Sequence, residues 1–435
     1  MKTRITSVKA RQVWDSRGHP TVEAQIGLEG GAVGRAIAPA GASRGHFEAV
    51  DLRDGGARFG GLGVDKAVAN VNGAIAKALV GRDGTDQAGV DACLAEMDGT
   101  AQLERLGGNA CVAVSLAVLH AAANAAGLPL WRYLAGDTAP RLPLPEIQIF
   151  GGGAHAGRRI DIQDLMIMVP GAQSVRQVLE VTGDVYRAAG KLMRDAGKLA
   201  GTADEGGWWP NFDSNEEALE TLTRAIEAGG HRPGEDVFIS LDIAASEFYR
   251  DGRYRLALDS TELDSQSMTD LIETWARRFP ILSIEDPVAQ DDTKSMARVT
   301  AALAPLAQII GDDFLVTDGA RVHAAAKAGA CNAALIKVNQ AGTVSKAHAA
   351  LKAAKEEGWA TIVSARSGET EDLSIVHLAI GWDAGQFKVG SFARSERMAK
   401  WNELLRIEEE MGNDAHFAGW GAFPPALKRG KRGTP

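Results

Sequence analysis

The sequence is most informative where charged side chains directly follow short apolar runs. Glu285 and Asp286 end the run Leu282-Ser283-Ile284, and Pro287 then stops the strand because proline cannot donate a backbone hydrogen bond. Comparable runs end at Asp242, Asp312-Asp313, Lys337, Arg366-Ser367 and Lys388. Buried strands that end in polar side chains and alternate with helical segments are typical of a (β/α) barrel, whose chemistry takes place at the carboxyl ends of the strands.

Three carboxylates from three different strand ends would repel one another on a shared rim. Asp242, Glu285 and Asp312 offer only oxygen ligands, which suit Mg2+. Lysine and arginine on the same rim suit an anionic substrate with a weakly acidic C–H bond. A lysine near several cations loses its proton more readily and can act as a base, while a metal ion offsets the negative charge that develops on the substrate. Each strand-end charge alone is common, so this pattern predicts the chemistry without fixing individual roles.

The composition is that of an acidic globular protein with three widely spaced cysteines. The 435 residues are 45% hydrophobic and 24% charged, with a formal net charge of -9. This size predicts about two domains, and the acidic balance argues against nucleic-acid and anionic-membrane partners. Cys93, Cys111 and Cys331 show neither a metal-binding spacing nor a disulfide framework. Residues 1–15 carry no apolar signal core, and no run approaches the ~18 apolar residues of a membrane span. We therefore expect a cytoplasmic protein.

The order of predicted elements divides the chain into an α+β domain and a barrel. Alternation over 4–40 predicts a hairpin or meander, and helical periodicity follows over 65–80, 85–98, 107–126 and 129–135. The prolines of Leu142-Pro143-Leu144-Pro145 favour an extended boundary. We predict an N-terminal capping domain over residues 1–140, a barrel over 146–415, and a flexible basic tail over 416–435.

From Arg11 to about Gly412 the chain resembles the enolase family. The matching motifs are Asp15-Ser16-Arg17-Gly18, Gly41-Ala42-Ser43, Asp204-Glu205-Gly206-Gly207, Leu241-Asp242-Ile243-Ala244-Ala245-Ser246-Glu247-Phe248, Ser283-Ile284-Glu285-Asp286-Pro287, Gly311-Asp312-Asp313, Leu335-Ile336-Lys337-Val338-Asn339-Gln340, Arg366-Ser367-Gly368-Glu369-Thr370-Glu371-Asp372 and Arg394-Ser395-Glu396-Arg397. The resemblance implies an enolase-type (β/α) barrel with an N-terminal α+β capping domain. It also implies a tight Mg2+ held by Asp242, Glu285 and Asp312, and a homo-oligomer that is either a dimer or an octamer.

The resemblance further implies how the matched residues treat a substrate. Lys337 would take the C2 proton of 2-phosphoglycerate, and Glu205 would act as the general acid that helps the C3 hydroxyl to leave. Ser43, in a lid loop, would complete a second magnesium site when the loop closes. The remaining expected substrate contacts are Lys388 with the carboxylate, Arg366 and Ser367 with the phosphate, and His155 and Gln163 on the other active-site loop and strand.

Five departures from the family pattern cluster at this site. They are Ala365 in place of histidine, Arg44 in place of the lid threonine, Asp164 in place of glutamate, Gly157-Arg158-Arg159 in the loop after the matched histidine, and Trp208-Trp209 after the matched glutamate and glycines. Replacing histidine by alanine opens space beside the phosphate, and arginine adds fixed charge suited to phosphoryl or carboxylate oxygens. Arg44, Arg158, Arg159 and Asp164 therefore join the substrate-binding candidates, and we expect a second anionic substrate.

These features favour a dehydrating condensation over simple water elimination. The hypothesis, based on a resemblance to the enolase-like synthases of phosphonate and antibiotic biosynthesis, joins 2-phosphoglycerate to phosphonoformate, free or nucleotide-activated, to give carboxyphosphonoenolpyruvate. The first alternative is an ordinary enolase, which converts 2-phosphoglycerate to phosphoenolpyruvate. The second is a catalytically inactive enolase-like binding protein, although no metal or base position is lost. The lid serine Ser43 and the stretch beginning at Lys337 argue against a racemase or a sugar-acid dehydratase of the same superfamily.

Overall fold

The N-terminal domain begins with a three-stranded antiparallel sheet. In the computed structural model, which describes residues 2–430, the strands β1 (Ile5–Trp14), β2 (Pro20–Leu28) and β3 (Val33–Ile37) lie in that order. The turn between β1 and β2 forms because the Asp15 carboxylate accepts hydrogen bonds from the backbone N–H groups of Arg17 and His19, at 2.9 and 2.8 Å. The predicted meander is confirmed.

Helices cover one face of this sheet. They are α1 (Asp65–Asn70), which continues through a π turn into α2 (Ala76–Leu79), then α3 (Gln87–Asp98), α4 (Gly108–Ala126) and α5 (Leu130–Ala135). The helix α4 packs directly on β3, where Gly34 has no room for a side chain because a Cβ would lie 2.1 Å from the Ala117 carbonyl oxygen. By length and composition α4 is the one described helix that could cross a membrane, and most of it is buried inside this domain.

Eight strands of the C-terminal domain close into a barrel. The strands after β3 are β4 (Leu144–Gly151), β5 (Asp164–Met168), β6 (Leu199–Thr202), β7 (Trp208–Pro210), β8 (Phe238–Asp242), β9 (Tyr249–Arg250), β10 (Arg253–Leu256), β11 (Thr261–Leu263), β12 (Ile281–Glu285), β13 (Gln308–Gly311), β14 (Ala333–Ile336), β15 (Ala360–Ser364) and β16 (Gly385–Ser391). The barrel order is β4-β5-β8-β12-β13-β14-β15-β16, and β16 pairs with β4 to close it. The predicted enolase-type barrel is confirmed.

One barrel strand runs against the others. β5 pairs antiparallel with both β4 and β8, whereas the remaining barrel pairs are parallel. The connection from β4 to β5 contains only the short 3-10 turn Gly153–Ala156 and no α-helix to carry the chain back across the sheet. The loop that holds His155 therefore lies at the carboxyl end of β4 and the amino end of β5.

Ten described helices belong to the C-terminal domain, and several of them begin at a capping side chain. They are α6 (Val175–Asp195), α7 (Asn215–Ala228), α8 (Ser265–Arg278), α9 (Thr293–Leu303), α10 (Gly319–Lys327), α11 (Val338–Ala341), α12 (Val344–Glu356), α13 (Ser374–Gly381), α14 (Ser395–Met411) and α15 (Pro425–Gly430). Ser174, Ser214 and Asp264 each accept a hydrogen bond from a backbone N–H of the first turn that follows. These caps fix where each helix starts and hence where the preceding loop ends.

The last described segment differs from the flexible tail that we predicted from residue 416. Leu142 pairs with Phe417 in an isolated bridge, and Phe423 and Leu427 pack against the barrel strands. Their partners in this cluster are Leu144, Met168, Phe238 and Leu282. The prediction is wrong for residues 417–427, because their apolar side chains cover the amino-terminal end of the barrel. The rest of the predicted tail, residues 431–435, lies outside the described residues.

Candidate active site

Adjacent parallel strands bring the three predicted metal ligands to one rim. Asp242 ends β8, Glu285 ends β12, and Asp312 directly follows β13. Strand register places Glu285 opposite both Asp242 and Ile310, so the carboxylates leave the sheet at nearly the same level. All three side chains are buried. The three acids therefore lie on one rim, and their role as metal ligands stays a prediction.

Two lysines neutralise this cluster. The Lys388 ammonium lies 2.8 Å from Asp242 Oδ2 and 2.8 Å from Glu285 Oε2, while Lys337 forms a short ion pair with Asp312. Lys337 follows β14 as expected, whereas Lys388 lies inside β16, where the register shifts between Lys388 and Gly390. A lysine on each side of the acids is the arrangement that an anionic substrate requires.

The pKa values of these groups show how strongly they depend on one another. Burial and the neighbouring Asp242 carboxylate raise the pKa of Glu285 well above its usual value. Burial lowers the pKa of Lys337, but the adjacent Asp312 carboxylate outweighs it, and the net pKa is raised. We expected Lys337 to lose its proton more readily. That expectation is wrong for this arrangement, because Lys337 lies closer to the Asp312 carboxylate than to any cationic side chain.

The oxygen atoms of the rim fit a hard divalent cation. Among residues 2–430, the buried atoms without a hydrogen-bond partner include Glu285 Oε1 and Gln163 Oε1, and the Gln163 amide donates to Asp242 at 3.1 Å. Oxygen-only donors of this kind suit Mg2+, which would polarise a substrate carboxylate and stabilise the charge left by proton removal. Among the described residues two groups bring possible ligand atoms within 4.8 Å of one another, and the predicted set of Asp242, Glu285 and Asp312 is not one of them. The two groups are His155 with Asp164 and Glu205, and Asp286 with Asp312 and Asp313.

A buried histidine links two carboxylates on the opposite side of the cavity. His155 Nδ1 lies 3.2 Å from Asp164 Oδ1, and His155 Nε2 lies 3.9 Å from Glu205 Oε1. Burial lowers the pKa of His155, but Glu205 and Asp164 together reverse the shift and raise it. The charged imidazole is therefore held between two carboxylates and lies next to Glu205, which suits an acid that protonates a leaving hydroxyl.

Arg366 and Ser367 lie beside the lid loop, as the resemblance implies for a phosphate site. The Arg366 guanidinium donates to Glu48 at 2.9 Å, to Asn339 at 3.1 Å and to the Ser43 carbonyl oxygen at 2.9 Å. The Ser367 hydroxyl accepts a hydrogen bond from the Ala42 N–H at 2.7 Å. The lid is thus held against the rim by the same two residues that are expected to bind phosphate.

The cavity between these groups is narrow. Its free volume is about 20 Å³, roughly the room that one water molecule needs. Lining residues are Gly41, Ala42, Ser43, His155, Gln163, Asp164, Glu205, Asp242, Lys337, Ser364, Ala365, Arg366, Ser367, Lys388, Val389 and Gly390. Ala365 does lie in this wall, as predicted, but the narrow cavity does not show the extra space that its small side chain was expected to open.

The three arginines that we added as substrate contacts lie outside the cavity. Arg44 donates to the Ala49 carbonyl oxygen at 3.1 Å, and Arg158 pairs with Glu247 at 2.8 Å. Arg159 donates to Asn211 at 2.6 Å and stacks over Trp209, with its guanidinium carbon 5.7 Å from the ring centre. The structure brings Asp164 into the site but not these arginines, whose side chains are exposed at the mouth.

Several residues of the site were missed from the sequence. Glu48 pairs with Arg366, Gln148 donates to Asp164, and Arg397 donates to the carbonyl oxygens of Arg366 and Ser367. Glu146 lies fully buried inside the barrel, opposite Lys388 in the strand register. Arg397 falls within a matched motif and could have been found there. Glu146 and Gln148 stand at alternate positions of a strand between prolines and glycines, and polar residues at inward positions were the available signal.

Both domains match enolase when compared with known protein families. The N-terminal domain of enolase matches residues 5–134, and the C-terminal TIM barrel domain of enolase matches residues 139–425. Together the two matches span nearly the whole described chain. The strand-end acids, the two lysines and the histidine between two carboxylates are consistent with an enolase-like lyase. The chain belongs to the enolase family.

Proposed function

We propose that this enzyme is a carboxyphosphonoenolpyruvate synthase, an enolase-like lyase that condenses 2-phosphoglycerate with phosphonoformate, free or nucleotide-activated. The observation that carries the proposal is the wall of small side chains beside Arg366 and Ser367, the two residues expected to bind phosphate. Ala365 contributes a methyl group where the family resemblance places an imidazole, and Gly41 and Ala42 face it from the lid. When the lid opens, this wall leaves room beside Arg366 for a second anion.

The early steps follow from the residues already described. Lys337, whose ion pair with Asp312 would weaken if that carboxylate held the cation, would remove the C2 proton of 2-phosphoglycerate. Glu205 protonates the C3 hydroxyl as it leaves, with His155 replacing its proton and the Asp164 carboxylate stabilising the charged imidazole. Arg366 and Ser367 hold the phosphate. With free phosphonoformate the balanced reaction yields carboxyphosphonoenolpyruvate, water and inorganic phosphate.

The positions of Arg158 and Arg159 at the mouth of the cavity suit binding of the second anion, phosphonoformate, and not contact with 2-phosphoglycerate. Arg158 and Arg159 are exposed, and each is bound to one surface partner that an anion could replace. They belong to the loop after His155, which borders the cavity. We assign Arg158 and Arg159 to the binding of phosphonoformate. The buried residues of the cavity bind 2-phosphoglycerate.

An ordinary enolase activity is the second candidate. The complete set of acid, base and phosphate-binding residues, together with a closed cavity that contains none of the mouth arginines, favours water elimination from 2-phosphoglycerate alone. A homo-oligomer and the use of small phosphorylated substrates remain predictions for either activity.

Phosphorus NMR separates the two candidates. The purified protein is supplied with Mg2+ and 2-phosphoglycerate, with or without phosphonoformate or its nucleotide ester. We expect a new phosphonate ester resonance, with inorganic phosphate released in equal amount when phosphonoformate is free. Rapid formation of phosphoenolpyruvate alone, with phosphonoformate unchanged, would contradict the proposal and favour the ordinary enolase.

A matched pair of variants tests whether the small side chain of Ala365 determines which reaction takes place. Ala365→His refills the wall beside the phosphate site and should suppress the phosphonate ester while water elimination continues. Arg44→Thr changes another departure from the family pattern, but the Arg44 side chain lies outside the cavity, so both reactions should change little. Equal loss of the phosphonate ester in both variants would remove Ala365 as the determinant.

A further inference from the structure

The Lys388 ammonium and a divalent cation cannot contact the rim in the same way at the same time. Lys388 Nζ lies between Asp242 and Glu285, 2.8 Å from an oxygen of each. Both carboxylates are predicted metal ligands. A cation bound by them must displace the ammonium, because two positive charges at contact distance repel strongly in a buried site. Lys388 is about 5% exposed and borders a cavity with room for roughly one water molecule, so it cannot simply move into bulk water.

A third carboxylate stands within reach of the displaced ammonium. Asp164 Oδ2 lies 3.5 Å from Lys388 Nζ, and it is among the buried oxygens that lack a hydrogen-bond partner in the described part of the chain. Its other oxygen, Oδ1, is held by Gln148 and by His155 at 3.2 Å. The carboxylate is therefore fixed with Oδ2 directed towards Lys388.

The backbone sets this arrangement. Asp164 and Asp242 are direct partners in the antiparallel register of β5 and β8, so their side chains lie next to each other on the inner face of the barrel. Lys388 needs only a small rotation about its side-chain bonds to move from Asp242 to Asp164. Aspartate is one methylene shorter than glutamate, which keeps Oδ2 close to its own strand and beside Asp242.

We propose that Asp164 is a positioning residue that holds the Lys388 ammonium when the divalent cation takes Asp242 and Glu285. Lys388 thus exchanges partners and remains paired. The ammonium moves from its place between Asp242 and Glu285 towards the side of the cavity that contains His155 and Glu205. The inference rests on the magnesium site of the proposed function and not on the identity of the second substrate.

The charges of the two groups agree with such an exchange. Burial raises the pKa of Asp164, but His155 and Lys388 outweigh it and hold the net value below its usual range, so the carboxylate is available as an anion. Burial lowers the pKa of Lys388, while Asp242 and Glu285 more than compensate, and the lysine stays charged. An unpaired buried ammonium would be strongly unfavourable.

Magnesium affinity without substrate tests the inference. Isothermal titration calorimetry is run on the wild-type protein, on Asp164→Asn and on Glu205→Gln, which removes one carboxylate from the same histidine but does not contact Lys388. We expect Asp164→Asn to weaken Mg2+ binding about tenfold or more, because Lys388 then has no partner other than the metal ligands, and Glu205→Gln to weaken it less than about threefold. Equal effects in the two variants would overturn the inference.

The Lys388→Met background distinguishes partner exchange from simple loss of negative charge. Without the ammonium, the wild-type Asp164 should no longer matter, so adding Asp164→Asn should change Mg2+ affinity by less than about threefold. A tenfold effect that persists would show that Asp164 acts on the cation directly. If Asp242→Asn, with no other substitution, bound Mg2+ as tightly as the wild-type protein, the predicted metal site itself would be wrong.

A crystal structure of the wild-type protein with Mg2+ gives a direct check that needs no variant. We expect Lys388 Nζ within hydrogen-bond distance of Asp164 Oδ2 and out of contact with Asp242 and Glu285. An ammonium that keeps either of its 2.8 Å contacts beside a bound cation, or that turns away from Asp164, would contradict the exchange.

Discussion

The strand-end rim and the mouth of the cavity carry similar charged side chains but hold them in different ways. On the rim, Lys388 and its carboxylate partners are buried and contact one another. At the mouth, Arg158 and Arg159 are exposed, and each pairs with a surface residue of another loop. Rim side chains are positioned by backbone register, whereas mouth side chains are positioned by contacts that an anion can replace. Fixed chemistry belongs to the first region and adaptable binding to the second.

The largest expected effect comes from removing Lys337, the proposed base on the rim. Lys337→Ala should lower the rate of C2 proton exchange about 10²- to 10⁴-fold, because no other described lysine contacts Asp312. The rate is measured by proton NMR of 2-phosphoglycerate in D2O. Lys346→Ala is the matched control, since Lys346 lies on the outer helix α12 near Asp318. Exchange at the wild-type rate in Lys337→Ala would disprove the assignment.

The two regions should also differ in what their ion pairs contribute to stability. Glu48→Ala leaves the buried Arg366 without its carboxylate and should lower the free energy of unfolding by about 3–5 kcal/mol. Glu247→Ala removes the partner of the exposed Arg158 and should cost only about 0.2–1 kcal/mol. Urea unfolding measures both. Equal losses would mean that burial does not separate the rim from the mouth.

A buried acid beneath the rim should make stability depend on pH. Burial raises the pKa of Glu146 from 4.5 to about 7, and its partner is the Ser240 hydroxyl at 2.8 Å. Because the folded-state pKa is the higher one, the protonated acid stabilises the fold below pH 4.5, and this contribution is lost as the pH rises through about 7.

The matched variant for this effect is Glu146→Gln, which cannot ionise. Relative to that variant, the wild-type protein should lose about 3 kcal/mol of stability between the two pKa values, at 1.36 kcal/mol per pKa unit. Thermal unfolding scans from pH 4.5 to 8 follow the difference. A difference that stays constant with pH would show that Glu146 does not titrate in this range.

The smallest effects are expected at the mouth. Arg158→Ala and Arg159→Ala should each change stability by no more than about 0.5 kcal/mol, because both side chains are exposed. Water elimination from 2-phosphoglycerate should change less than about threefold, since neither arginine lines the cavity. Steady-state assays measure it. A much larger loss would show that the mouth arginines act on the first substrate and would end the distinction between the regions.

The parts predicted well from the sequence are those that backbone geometry alone determines. Strand ends at Asp242 and Glu285 could be located because apolar runs stop there, and parallel pairing then brings those residues to one edge. The lid residue Ser43 and the individual roles of the rim residues came from the family resemblance. The positions of Arg44 and Arg159 could not be predicted, because a loop side chain chooses among partners that are distant in sequence, such as Asn211. The raised pKa of Lys337 also depends on such a contact.

The apolar cover at the amino-terminal end of the barrel has a consequence for how the chain is made. Phe423 and Leu427 are among the last described residues, yet they shield Leu144 on the first barrel strand from water. During synthesis this strand emerges long before its cover does. The amino-terminal end of the barrel therefore stays exposed to water until residues 423–427 have been synthesised, and a chain that stalls before them would present this apolar surface to chaperones.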